Sequence, residues 1–266
     1  MLANQRRVIA KSRRAFLLSG YGCAMKSVID VSIKRDIGRL IAHGLPSKLT
    51  FDQACMRAGI LSELYLHGAI NEIVGSNLST PDFWIRASYA HPALQDGYEP
   101  KNNLGRSREV DFFITPSTGR AGPSLAVEVK WTPSAHCTWK NILVDLYRLK
   151  LISMAEPKTD CMFVLCGPRT EVSALLKQLH MQSQKRAIGR KYPPPLVLRS
   201  AGSESGNSQF APVDENGRFF GGDDVRNRLP LRSNGKSRIP SGMNLQLLGE
   251  ATAGVKEWTA AVWRIT

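Results

Sequence analysis

Two short apolar runs of this sequence carry charges where charges are costly. In the run Leu125 to Trp131, LAVEVKW, alternation along a strand sends Glu128 and Lys130 to one face and Val127, Val129 and Trp131 to the other. Asp111 repeats the situation between Val110 and the residues Phe112, Phe113 and Ile114. A carboxylate or ammonium set among such neighbours loses hydration unless it pairs or binds an ion, so these positions ask for a reason. If the two runs are hairpin partners, the carboxylates of Asp111 and Glu128 converge at one end of a sheet, with Lys130 beside Glu128. Two carboxylates and a lysine are the parts of a site for a hard, oxygen-seeking cation, in which the ammonium orients a water or stabilises developing negative charge.

Other chemistries fit the sequence less well. The five cysteines, Cys23, Cys55, Cys137, Cys161 and Cys166, are odd in number and lack CxxC spacing, so neither a zinc ribbon nor a disulfide framework is indicated. His43, His67, His91, His136 and His180 form no HxH or HxxxH pair. Cys137, close behind the Glu128 run with His136 and Trp139, has no identifiable partner and reads as a small apolar residue, not a nucleophile.

The elements that must position the charged residues are legible on either side. Ile33, Ile37, Leu40 and Ile41 recur at helix spacing, and Thr50 before Phe51, Asp52 and Gln53 reads as a capped helix start. Ser62 is a second candidate cap, for a helix from Glu63 to about Val74 with Leu66, Ile70 and Val74 on one side. FWIRASY, EVDFFIT and SLAVEVKW then read as three neighbouring strands between turn-rich segments. WKNILVDLYRLKLISM is a helix with Ile142, Leu143, Leu146, Leu149 and Ile152 inward, followed by the buried strand CMFVLCG and a helix from about Glu171 to His180. Residues 192–240, rich in Pro, Gly, Ser and Asn, read mostly as loop with a short strand at PLVLRS, and MNLQLLGE and EWTAAVWRI as two closing strands. The fold class expected is α/β, a mixed central sheet flanked by helices, with a basic arm and helical segment over 1–60 and the main domain over 61–266.

In this order the elements resemble the PD-(D/E)XK nuclease superfamily, the restriction-endonuclease-like proteins. The signature is Asp111 in VDFF, sixteen intervening residues, then Glu128, Val129 and Lys130 in AVEVKW, over about residues 60–170. Val110 stands where the family's name has proline. The resemblance implies a restriction-endonuclease-like core and hydrolysis of phosphodiesters with magnesium or manganese, held by Asp111, Glu128 and the carbonyl of Val129, with Lys130 acting on water and phosphate. It implies a further acid on the preceding helix. Glu63, on the side of Leu66, Ile70 and Val74, is favoured over Glu72.

The formal net charge of +14 and pI ≈ 9.9 attract polyanions, which makes DNA the expected partner. Lys140 and Arg148 on the helix after the motif, and the tract Lys185, Arg186, Arg190 and Lys191, are the expected phosphate contacts, against the alternative of a solvated helix face with an Asp145–Arg148 pair. The basic residues from Arg218 to Arg238 form either a DNA-gripping loop or a plain surface segment. A double-strand cut asks for two active sites, hence a homodimer. No apolar run is long enough for a bilayer. SRRAFLL at Ser12 to Leu18 resembles a twin-arginine export signal, but the apolar stretch behind it is short and stopped by Lys26 and Asp30, which leaves a cytoplasmic protein as the expectation. The competing class is a non-catalytic nucleic-acid-binding protein on the same core.

Overall fold

The computed structural model describes residues 24–78, 82–95, 108–117, 122–187, 207–210, 220–230, 232–233, 236–237, 240 and 242–266. The helices are α1 (Ala24–Ala54), α2 (Glu63–Asn77), α3 (Pro92–Gln95), α4 (Trp139–Ala155), α5 (Arg169–Ala187) and α6 (Gly222–Arg226). The strands are β1 (Phe83–Tyr89), β2 (Val110–Pro116), β3 (Leu125–Trp131), β4 (Asp160–Pro168), β5 (Asn207–Phe210), the short pair β6 (Arg232–Ser233) and β7 (Lys236–Ser237), β8 (Met243–Ala253) and β9 (Trp258–Ile265).

Seven strands form one mixed sheet in the order β1-β2-β3-β4-β9-β8-β5. β3 and β4 are parallel because α4 carries the chain back between them, and the other neighbours are antiparallel. The protein is therefore α/β, with a mixed sheet flanked by helices. The strand alternation divides two apolar layers. Val127, Val129, Phe112, Val164 and Val262 pack with Ile37, Ile41, Leu45 and Leu49 of α1 and Leu66, Ile70 and Val74 of α2. Ala126, Phe113, Phe163, Leu165 and Trp263 pack with Ile142, Leu146 and Leu149 of α4 and Leu179 of α5. The second half of α1 thus shares a core with the sheet, and so closely that a Cβ on Gly38 would stand 2.6 Å from Leu248 Cδ1.

Several expectations are met within a residue or two. Ser62 caps α2, its hydroxyl accepting from Tyr65 N at 3.2 Å. The three strands expected as neighbours, β1, β2 and β3, lie side by side in chain order, and the closing pair is β8–β9. Others need correction. Thr50 starts no helix: it lies inside α1, and its hydroxyl donates to the Pro46 carbonyl at 2.8 Å, so the chain runs helical past Pro46 to Ala54. Leu40 is exposed, because Ile37 and Ile41 already fill the side of the turn that meets the sheet. In the segment read mostly as loop, β5 adds an edge strand to β8, and α6 and the β6–β7 pair follow; these pieces are too short to show a period. PLVLRS lies outside the described residues. Among the described residues no helix is long and apolar enough to cross a membrane.

Candidate active site

The pairing of β2 with β3 covers only Phe112–Ile114 against Leu125–Val127. Beyond Val127 the strands part, and the Asp111 carboxylate accepts from Val129 N at 2.7 Å in place of a ladder bond. Asp111 also interrupts the alternation of β2, since Val110 and Phe113 on either side of it both enter the α4 layer. Opposite it in β1, Ser88 takes a φ of 49°, unusual for a residue with a side chain. The strand is bent where the carboxylate must leave the sheet. Burial works to raise the Asp111 pKa, but the His67 ring, the Lys130 ammonium and the Val129 N–H outweigh it and hold the carboxyl below the ordinary aspartate value.

Glu128 points from β3 into the α4 side and is 2% exposed, with Oε1 lacking any hydrogen-bond partner. Burial first, then the charges of Asp145 and Asp111, push its carboxyl well above the ordinary glutamate range against the pull of Arg148 and Lys130. Lys130 sits two residues on. Its ammonium lies 3.0 Å from Asp145 Oδ2 and 3.8 Å from Glu63 Oε1, and donates to the Val129 carbonyl at 3.1 Å. Burial alone would lower its pKa; the carboxylates of Asp145, Glu128, Asp111 and Glu63 overturn that and keep it firmly protonated.

The N-terminal end of α2 closes the site from the other layer. Glu63 and His67 lie one turn apart, and His67 Nε2 stands 3.7 Å from Asp111 Oδ1 with its ring edge-on to Phe112. Glu72 is two turns further along and pairs with Lys48 at 3.0 Å, 65% exposed. Of the two acids weighed from sequence, the structure brings Glu63 to the cluster and leaves Glu72 outside it.

From α4 comes Asp145, 4% exposed, whose Oδ1 faces Arg148 Nη1 at 3.4 Å. The pair foreseen from sequence exists, but the solvated face does not: position 145 falls between Ile142 and Leu149 in the buried stripe. Lys140, by contrast, is tied to the exposed Asp224 of α6 at 2.6 Å. Lys185 and Arg186 are on the last turn of α5, and their side chains, like Arg190 and Lys191, lie outside the described residues. Cys137 packs against the core beneath α4, and burial pushes its thiol up to about 12, a neutral apolar group as expected.

His67 and Asp145 are the two members that sequence reasoning missed. Both had a signal: His67 follows Glu63 at i+4, and Asp145 is a charge inside an apolar stripe. The completed cluster holds four carboxylates, Glu63, Asp111, Glu128 and Asp145, against the cations Lys130 and Arg148, in a chain of net charge +14. Among the described residues no three His, Cys, Asp or Glu side chains stand close enough together to hold a metal ion. A magnesium site asks for less: one or two carboxylates and several waters. Glu128, buried with an unpartnered oxygen and sensing the charge of Asp111, fits that donor set, and the carbonyl of Val129, which meets the Lys130 ammonium, is a further oxygen nearby. Compared with known proteins, the chain matches no family model, no curated protein and no solved structure.

Proposed function

We propose that this protein is a divalent-metal-dependent phosphodiesterase that hydrolyses DNA on a restriction-endonuclease-like core. The observation that carries the reading is the junction of β2 and β3, where Asp111 replaces a ladder bond, Glu128 lies buried with a free oxygen, and Lys130 opens onto the same space. Asp111, Glu128 and the Val129 carbonyl would hold magnesium or manganese. When bound, such a cation supplies positive charge to the oxygens of the phosphate under attack.

The chain's own residues supply the rest. Asp111, kept ionised by His67 and Lys130, is a ligand at neutral pH without further change. Glu128 gives up its proton to serve. Lys130 holds its proton at Nζ among the neighbouring carboxylates, which makes it a charged hydrogen-bond donor to a phosphoryl oxygen. Glu63, on the first turn of α2 and 3.8 Å from the Lys130 ammonium, would accept from the attacking water. A binding module on the same core has no use for Glu128, whose burial without a partner costs stability.

The +14 charge supports DNA as the substrate, and a homodimer would present two sites to a duplex. The test is purified protein with supercoiled plasmid, with magnesium or with a chelator. Nicked or linear product with magnesium alone is expected. A plasmid that is bound at low salt yet stays intact with either metal would favour the binding module.

A further inference from the structure

Asp145 belongs to neither the motif nor the helix acid, and nothing in the proposed chemistry requires it. Its placement is costly. Thr138 caps α4 by accepting from Asn141 N at 3.3 Å, and the helix so fixed carries Asp145 between Ile142 and Leu149 into the core. There its two oxygens divide between two cations, Oδ2 to Lys130 at 3.0 Å and Oδ1 to Arg148 at 3.4 Å. Lys130 reaches Glu63 only at 3.8 Å, so Asp145 is its nearest carboxylate. A lysine has a flexible stem and three donors without fixed direction, and needs an external anchor to present its charge at one point.

We infer that Asp145 is a positioning residue, which holds the Lys130 ammonium over the junction of β2 and β3, braced from behind by Arg148. This rests on the phosphodiesterase reading for its purpose, but the placement itself can be measured without it. Both carboxylate oxygens of Asp145 are taken by Lys130 and Arg148, so it is not among the residues proposed to meet the phosphate or the cation. Its effect on turnover passes through Lys130.

The test is Asp145→Asn, which keeps the shape and removes the charge, with Asp145→Glu as the conservative variant and a thermal melt to show that each folds. In cleavage, Asp145→Asn should lower kcat by about 10- to 100-fold, the scale of a misplaced catalytic group. KM for DNA should stay as in the unaltered protein, and Asp145→Glu should recover part of the loss. Added to Lys130→Ala, Asp145→Asn should cost nothing more. A full second loss in the double variant, or a KM that moves with kcat, would overturn the inference. In the metal-free protein, crystal structures of the native chain and of Asp145→Asn report the placement directly. The Lys130 ammonium should stand at salt-bridge distance from Asp145 in the first and leave residue 145 in the second. A Lys130 side chain that keeps its position in Asp145→Asn would sink the inference whether or not the protein cleaves DNA. If it moves in a protein that never cleaves, the placement stands and the phosphodiesterase reading alone fails.

Discussion

Glu128→Gln should make the metal-free protein more stable at neutral pH, an unusual outcome for a buried motif residue. Glu128 is buried with one oxygen unpartnered, beside Asp111 and Asp145, and its pKa in the fold lies well above the ordinary 4.5. The sign follows from linkage. A group whose folded pKa is raised contributes stability that is fully present below the unfolded value and is lost as pH rises through the folded one. At pH 7.5, roughly three units above the unfolded value, the loss reaches at most about 4 kcal/mol at about 1.4 kcal/mol per unit. Glutamine has the same shape and no charge to desolvate, and its amide can donate to the flanking carboxylates. Urea unfolding of both proteins, extrapolated to water at several pH values, gives the difference. It should be small at pH 4.5 and grow with pH in favour of Gln, up to that limit. A Gln variant equally or less stable than the native chain at pH 7.5, with no trend between, would refute the view of Glu128 as an uncompensated buried acid. If Glu128 is a magnesium ligand as proposed, magnesium should reverse the order, because binding would stabilise the native protein and the variant would lack a ligand.

Asp111→Ala should cost about 1 to 3 kcal/mol of stability, because Val129 N–H loses its acceptor, whereas Asp111→Asn retains an oxygen there, loses only the charge that His67 and Lys130 favour, and should cost less; neither should cleave DNA. Glu63→Ala and Glu72→Ala should be unequal in a plasmid assay: the first slows cleavage, while the second removes an exposed pair with Lys48 worth less than about 1 kcal/mol and leaves the rate alone. His91 is a third case, buried with Nδ1 accepting from Ala93 N at 3.1 Å and Nε2 facing Glu156 at 3.2 Å. Burial, partly offset by Glu156, lowers its pKa, so the stability it contributes is present above 6.5 and lost as pH falls below that value. Urea midpoints measured from pH 7.5 to 5 should fall less for His91→Phe than for the native chain, and parallel curves would contradict this.

The sequence carried most of the architecture because its strands and α4 are long, apolar and strongly periodic. LAVEVKW can be read as a strand with two charges on one face without knowing its neighbours. It could not show that β2 and β3 part beyond Val127, since that separation comes from the Asp111 side chain taking the Val129 N–H. Nor could it show the layer from which Glu63 arrives. The sequence leaves a solvated face open for Asp145, because the pair it makes with Arg148 is an i,i+3 pair of the kind common on exposed helices; only the packing of α4 on the sheet buries it. The short elements after residue 192 were missed for the opposite reason. β5 has four residues and α6 five, so each is held by β8 or α4, not by its own pattern.

Asp111 and Glu128 are proposed to hold one divalent cation jointly where β2 and β3 part. Crystals soaked in manganese, with anomalous diffraction recorded at its absorption edge, locate such an ion. One strong peak is expected between the Asp111 and Glu128 carboxylates and near the Val129 carbonyl, with Lys130 drawn off that carbonyl and no peak in Glu128→Gln crystals. An empty junction in the native crystals, or manganese bound only at other residues, would contradict this.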